Sequence, residues 1–305
     1  MAHHKIILDC DPGIDDAVAI LLALASPEEI ELVGITTVAG NVPLERTAYN
    51  ARRICTLAGR EDIPVYAGCP RPMLETEGLH STVHGDDGLG SVKLPEPGFA
   101  LQAQHAVDFI IHSVHAEPGQ ITLCPIGPMT NIALAIIKDP SIVPKIKQIV
   151  FMGGAAFCQG NVSPVAEFNI FVDPLAAHVV LSAGIPQIML GLDVTLQAKI
   201  DAAYLDELQQ VNSLLKTTTA MMRSYGAADP CLHDPCAIAW LIDPSLFKGI
   251  RGNISVSYQD GRHRGQTLVA VKSRHLENDA TNIEVITEVN NPLLLKMLSE
   301  RLSRL

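Results

Sequence analysis

The sequence predicts an α/β fold: a mostly parallel sheet flanked by helices. Three observations carry that expectation. Short apolar, β-branched runs alternate with segments of helical periodicity, the pattern of βαβ units. The strand-like runs are nearly continuously apolar, as required when helices cover both faces of a sheet. Turn residues close these runs, and polar side chains crowd immediately after them. The expected architecture is Rossmann-like, with inserted loops and helices and a β-hairpin at the C-terminal edge.

Taken in order, "KIILD" is a short strand that ends in the turn "DPG", and "DDAVAILLALAS" is a helix. "IELVGITTV" is a second strand, "VPLERTAYNARRICTLAG" a helix closed by Gly59, and "IPVYAG" a third strand. Residues 69–98 are rich in Pro, Gly and charge. They are long for a βα connection, and functional loops concentrate in such segments. The alternation then resumes. "AVDFIIHSVHA" reads as helix, "QITLCPI" as strand, "GPMTNIALAIIKD" as helix and "IKQIVFMGG" as strand. "DPLAAHVVLSAG" reads as helix and "PQIMLGLDV" as strand. Residues 199–226 read as one or two amphipathic helices with no strand between them. "GNISVSYQDGRHRGQTLVAVKS" and "NIEVITEV" read as β-structure with a hairpin on the sheet edge. No internal repeat, low-complexity tract or linker interrupts the chain, so residues 1–305 are expected to form one domain.

Composition narrows the function. The 305 residues are 48% hydrophobic, ample for a large core. The net charge of −11 comes without a Lys/Arg run, which argues against a nucleic-acid partner. No apolar stretch reaches the roughly 18 residues of a membrane span. The start "MAHHKIILDCD" has no apolar h-region, so secretion is not expected. Seven scattered cysteines, an odd number, suit reduced thiols in a cytoplasmic protein. Cys231 and Cys236 in "CLHDPC" lack zinc spacing and a matching second pair.

Ligands in open parallel sheets sit beyond the carboxyl ends of the strands. There the first strand is followed by Asp9, Asp11, Asp15 and Asp16, four carboxylates within eight residues. The second ends near Asn41, and "QITLCPI" is followed by Gly127, Pro128 and Thr130, which is expected to cap its helix. After "IVFMGG" come Asn161, Glu167, Asn169 and Asp173; after "PQIMLGLD" comes Asp193; "LHDPC" sets His233 and Asp234 at a helix start. Each has a bland reading. Asp15 or Asp16 caps the first helix, worth about 1 kcal/mol. Asp234 is an N-cap with Pro235 at the first helical position, the better reading of that residue alone. Asp173 before Pro174 is an ordinary cap, and Asn161 and Asn169 suit turns. Caps leave Asp9 and Asp11 unexplained, however. Carboxylates gathered in a poorly solvated site either take up protons or hold a cation. An oxygen-only donor set favours a hard cation, Ca²⁺ or Mg²⁺. The asparagines and glutamate nearby suit a polyhydroxylated ligand.

"DCDPGIDDAVAI" resembles the N-terminal signature of the inosine–uridine nucleoside hydrolases. So do "ITTVAGN", "VHGDDG", "GPMTNIA", "FMGGA", "AEFNIFVDP", "GLDVT" and "HDPCAIAW", in order along nearly the whole chain. "GIDDAVAI" and "AIAWL" look most like the broad-specificity ribonucleoside hydrolases. The resemblance implies hydrolysis of purine or pyrimidine ribonucleosides in nucleoside salvage, with one tightly bound Ca²⁺. Its ligands would be Asp11, Asp16, Asp234 and the main-chain carbonyl of Ile126. Asp15, Asn161, Glu167 and Asn169 would bind the ribose hydroxyls, with Met152 lining the sugar pocket. Asn41 would lie near the attacking water and His233 near the leaving base, while His84 would close over the site. "HGDDG" departs from the pattern: many relatives carry Glu-Ser or Glu-Thr where Asp86 and Asp87 stand. The family also suggests a homotetramer or dimer.

The residue types fit that chemistry. Cleaving an N-glycosidic bond builds positive charge on the ribose, which carboxylates and amides stabilise. Asp11 would act as general base and His233, with a pKa ordinarily near 6.5, as leaving-group acid. The base would face residues 69–90 and 221–233, among them His80, His84, Arg223, Tyr225 and Asp229. Two other readings stand beside this one. A Mg²⁺-dependent phosphatase with an aspartyl nucleophile needs a more basic phosphate site than these strand ends offer. A non-catalytic Ca²⁺-dependent ribose or nucleoside binding protein would bind without releasing ribose.

Overall fold

The computed structural model describes residues 3–76, 79–226, 229–272 and 282–305. β1 (His4–Cys10), α1 (Ile14–Leu24), β2 (Ile30–Thr37), α2 (Leu44–Leu57) and β3 (Val65–Ala67) follow the expected alternation. The described residues of 69–98 form no helix or strand. α3 (Ala106–Ala116), β4 (Ile121–Pro125), α4 (Thr130–Lys138) and β5 (Gln148–Met152) resume it. Then come α5 (Phe168–Val172), α6 (Pro174–Leu181), β6 (Gln187–Leu190), α7 (Leu192–Thr195), α8 (Ala202–Leu208), α9 (Ser213–Gly226) and α10 (Pro235–Ile242). The chain ends with β7 (Phe247–Val256), β8 (Thr267–Ala270), β9 (Ile283–Val289) and α11 (Asn291–Leu302).

The strands form one nine-stranded sheet in the order β3-β2-β1-β4-β5-β6-β9-β7-β8. β1 pairs in parallel with β2 and β4, and the parallel run continues to β6 and β9. β7 is antiparallel to β9, and β8 to β7. Side chains alternate across the sheet, so Ile6 and Leu8 enter one apolar layer and Ile7 the other. The first layer packs under α1, α9, α10 and α11, the second under α3, α4 and α6. With both faces covered, the strand ends are where polar groups can gather.

Three expectations are corrected. "NIEVITEV" is not an edge strand: β9 inserts between β6 and β7, and the hairpin β7–β8 forms the edge. "GLDV" does not prolong β6. The backbone turns at Gly191, Leu192 N–H donates to the Gly154 carbonyl, and a single helical turn follows. Thr130 does not cap α4 but begins it, and its hydroxyl donates to Asp173 at 2.7 Å. α11 was not anticipated, although Leu294, Leu298 and Leu302 recur every four residues and are all buried.

Candidate active site

The turn after β1 packs its carboxylates against main chain. Asp16 accepts from the N–H groups of Asp11 (3.1 Å) and Gly13 (2.9 Å), so it fulfils the capping role expected of Asp15 or Asp16. Asp11 Oδ2 accepts the Asn41 N–H at 2.6 Å, and Asn41 Nδ2 donates to Asp16 at 3.2 Å. Gly40 and Gly127 press on Asp11 from two sides; a Cβ at either would collide with its carboxylate. Asp11 Oδ1 is buried with no hydrogen-bond partner among the described residues. Asp234 stands just before Pro235, yet its side chain accepts no N–H of α10 and instead shares a hydrogen bond with Asp16. The capping reading of Asp234 is therefore replaced.

Asp15, Asp16 and Asp234, all buried, bring carboxylate oxygens within 4.8 Å of one another, a group that can hold a metal ion. Burial first, and then the neighbouring acids, push Asp16 up to about 7 and Asp11 and Asp234 well above the carboxylate range. Ionised together they repel, and a divalent cation relieves both costs. The all-oxygen donors and the unpartnered Asp11 oxygen fit a hard cation. Asp9 stands apart, held by Thr36 Oγ1 (2.6 Å) and Asn131 Nδ2 (2.8 Å). Burial raises it to about 7.

Beside the cluster opens a cavity of about 230 Å³. Asp15, Asn41, His84, Ile126, Met152, Asn161, Glu167, Asn169, Tyr225, His233 and Asp234 line it, whereas Asp11 and Asp16 do not. On the amide side, Asn169 Nδ2 donates to the carbonyls of Ile126 (2.8 Å) and Met152 (3.2 Å). Glu167 caps α5, accepting from the N–H groups of Asn169 (2.9 Å), Ile170 (3.2 Å) and Gly154 (2.9 Å), while burial raises its pKa. Asn161 Oδ1 accepts the Phe168 N–H at 3.0 Å, fixing the loop at the cavity wall.

The opposite wall comes from loops. His84 Nδ1 accepts the Ile14 N–H at 3.1 Å, and its ring stacks on Tyr225 with centroids 5.1 Å apart. Burial lowers the His84 pKa despite the nearby Asp15 charge. His233 Nδ1 meets Thr195 Oγ1 at 2.8 Å and its Nε2 meets Asp229 Oδ2 at 3.0 Å. Burial opposes charge on His233, but the Asp229 bond and the surrounding acids outweigh it and raise the pKa. Burial likewise opposes charge on Asp229, yet His233 holds it below its ordinary value.

Of the residues expected to face the base, His84, Tyr225 and Asp229 line the cavity. His80 is not among the lining residues: its Nδ1 is 2.8 Å from the Gly40 carbonyl. Arg223 turns to Asp206 at 2.5 Å. Asp87 folds its own turn by accepting from Leu89 and Ser91, and Asp86 is exposed. Asp193 accepts from Ala156 and Phe157, bracing the loop after β5. Asp173 is the cap it was expected to be, accepting the Ala176 N–H. Cys231 and Cys236 direct their thiols to the carbonyls of Leu196 and Leu232. Sequence reasoning pointed to the 69–90 stretch without singling out Ser81 and Val83, and it missed Val162 and Phe168 at the cavity and Thr195 behind His233. For Thr195, its place just past the acid-bearing turn after β6 was the available signal.

A mostly parallel sheet thus carries buried acids at its carboxyl rim, with an amide-lined cavity beside them. Residues 6–296 match the family model described as inosine-uridine preferring nucleoside hydrolase. The pyrimidine-specific ribonucleoside hydrolase RihA of Photobacterium profundum is 40% identical over 310 residues, covering 98% of this chain and 99% of the relative. The solved purine-preferring ribonucleoside hydrolase of Gardnerella vaginalis superposes with a TM-score of 0.92 at 36% identity, covering 98% of each chain. A plant nucleoside hydrolase superposes at 0.91 with 34% identity, covering 98% of this chain and 99% of that one. The chain belongs to the inosine-uridine preferring nucleoside hydrolase family and is a nucleoside hydrolase.

Proposed function

We propose that this protein hydrolyses the N-glycosidic bond of ribonucleosides to ribose and free base, with Ca²⁺ held by Asp11, Asp16, Asp234 and the Ile126 carbonyl. The observation that carries the reading is the buried carboxylate cluster, with its unpartnered Asp11 oxygen, against an amide-lined cavity. Bound there, the cation would supply acidification of water and a hold on the ribose diol. Asp11 Oδ1 accepts the proton of the attacking water, a contribution of about 10²–10⁴-fold. Asn41, bonded to both Asp11 and Asp16, keeps that carboxylate oriented. Asp15, Asn161, Glu167 and Asn169 bind the ribose hydroxyls, and their oxygens stabilise the positive charge that grows on the sugar. Met152 packs under the sugar. His84 and Tyr225 flank the base, and His233 serves as the leaving-group acid once Nε2 parts from Asp229.

The same reading takes residues 1–305 as one domain, assembled as a homodimer or homotetramer in the cytoplasm and serving nucleoside salvage. Among the described residues no helix is long and apolar enough to cross a membrane. The relatives named above act on pyrimidine nucleosides in one case and prefer purines in the other, so both classes belong in the assay. Ribose release is measured from inosine, adenosine, uridine and cytidine, before and after prolonged dialysis against chelator. Release that is lost on dialysis and restored by Ca²⁺ is the expected result. Nucleoside binding without release would make this a binding protein, and hydrolysis of p-nitrophenyl phosphate instead would make it a phosphatase. For His233, substitution by alanine is expected to slow inosine cleavage far more than that of a riboside with an activated leaving group.

A further inference from the structure

Asp229 occupies an unusual position in the cavity. It is an acceptor-only side chain on the wall opposite the ribose-binding amides, with its side chain 29% exposed. Of its roughly four lone-pair sites, one meets the Cys231 N–H at 3.1 Å and one His233 Nε2 at 3.0 Å, with the Cys231 thiol also beside the carboxylate. Among the described residues no further partner meets it, which leaves an acceptor site toward the cavity. His233 contributes no donor beyond these bonds, because Thr195 takes its second nitrogen. His84 does contribute one. Its Nδ1 accepts a main-chain N–H, which leaves the ring proton on Nε2. The loop side of the cavity therefore offers a ring N–H donor and a carboxylate acceptor, among the apolar groups of Val83, Val162 and Phe168.

A base complementary to that pair presents an N–H beside a carbonyl. Uracil does so at N3–H, between O2 and O4, and hypoxanthine at N1–H, beside O6. Adenine presents an unprotonated ring nitrogen, which a carboxylate repels. Resting on the nucleoside-hydrolase reading of the same cavity, we propose that Asp229 is a specificity-determining residue that accepts the ring N–H of such a base, the N3–H of uracil in uridine among them. A hydrogen bond to an ionised group is worth about 10- to 100-fold in discrimination.

The test compares uridine with 3-methyluridine, which lacks that proton, in the wild-type enzyme, Asp229→Leu and Asp229→Asn. Each variant supplies a ratio of kcat/KM values, so any general loss cancels. The wild type is expected to favour uridine by at least about 10-fold, with Asp229→Leu bringing the ratio close to one through loss on uridine. Asp229→Asn, which retains an acceptor oxygen, is expected to recover part of it. A wild-type ratio near one overturns the proposal even if neither variant folds. So does a large ratio retained in Asp229→Leu, which would assign the discrimination to methyl bulk. Absence of ribose release from every nucleoside tested would instead overturn the parent reading, and this one with it.

Discussion

The two rims of the sheet treat acidic side chains in opposite ways. At the amino rim, where strands begin, acids have basic partners. Glu29, 1% exposed, is gripped by both guanidinium nitrogens of Arg301 at 2.7 and 2.9 Å. Lys5 pairs with Glu117 at 2.5 Å, and His115 with Asp139 at 2.7 Å. At the carboxyl rim Asp11, Asp15, Asp16 and Asp234 are equally buried, yet among the described residues no lysine or arginine pairs with them. The nearest ion-pair partner is His84, 3.9 Å from Asp15. Paired acids hold the fold together. Unpaired buried acids raise its free energy, and their persistence marks a ligand that neutralises them.

Crossed substitutions would break that contrast if it is wrong. The largest effect is expected from Asp11→Asn: ribose release falls by about 10³-fold or more, combining loss of the base with a weakened metal site. Thermal unfolding of the metal-free protein should be unchanged or shifted upward, since a costly buried charge is gone. A marked fall in stability would show that Asp11 is structural. Arg301→Ala should do the reverse. It strands Glu29 in the interior and lowers stability by roughly 3–5 kcal/mol, measured by denaturant unfolding, with KM for the nucleoside unaltered.

Metal addition sharpens the comparison. A ligand at a hundredfold excess over Kd stabilises by about 2.7 kcal/mol. Saturating Ca²⁺ should therefore raise Tm by roughly 5 °C or more, an effect abolished in Asp234→Asn and retained in Arg301→Ala. The smallest effect is expected at the His115–Asp139 pair. The His115 hydrogen bond, with Ser141, holds Asp139 down to about 2. A carboxyl depressed in the folded state stabilises above its unfolded pKa, near 4, and loses that contribution as pH falls toward about 2. In His115→Ala the acid-unfolding curve between pH 4 and 2 should be shallower, with a small loss of stability at pH 7 that vanishes as the pH falls to about 2.

Much of the carboxyl rim could be read from the sequence because strand ends are punctuated. A run such as "KIILD" stops where its apolar residues stop, and the turn beyond it must lie at the rim. The α/β alternation was legible for the same reason. "GLDV" misled because its alternation continues that of β6, whereas Gly191 lets the backbone leave the ladder. The place of β9 could not be read, since strand order depends on pairings remote in sequence. Asp234 showed a limit of local rules: an acid before Pro235 satisfies every capping signal, but Asp16, 218 positions earlier, takes its hydrogen bond. The loop wall was the least legible. Val83, Val162 and Phe168 carry no periodicity, and they converge because distant strand ends bring their loops together.

Gly40 and Gly127 reach Asp11 from the ends of two different strands, and neither leaves room for even a methyl group. The Asp11 carboxylate is thus clasped by polypeptide rather than by exchangeable side chains. Substituting either glycine would displace that carboxylate, so its position is fixed by the backbone of two strand ends rather than by any one side chain.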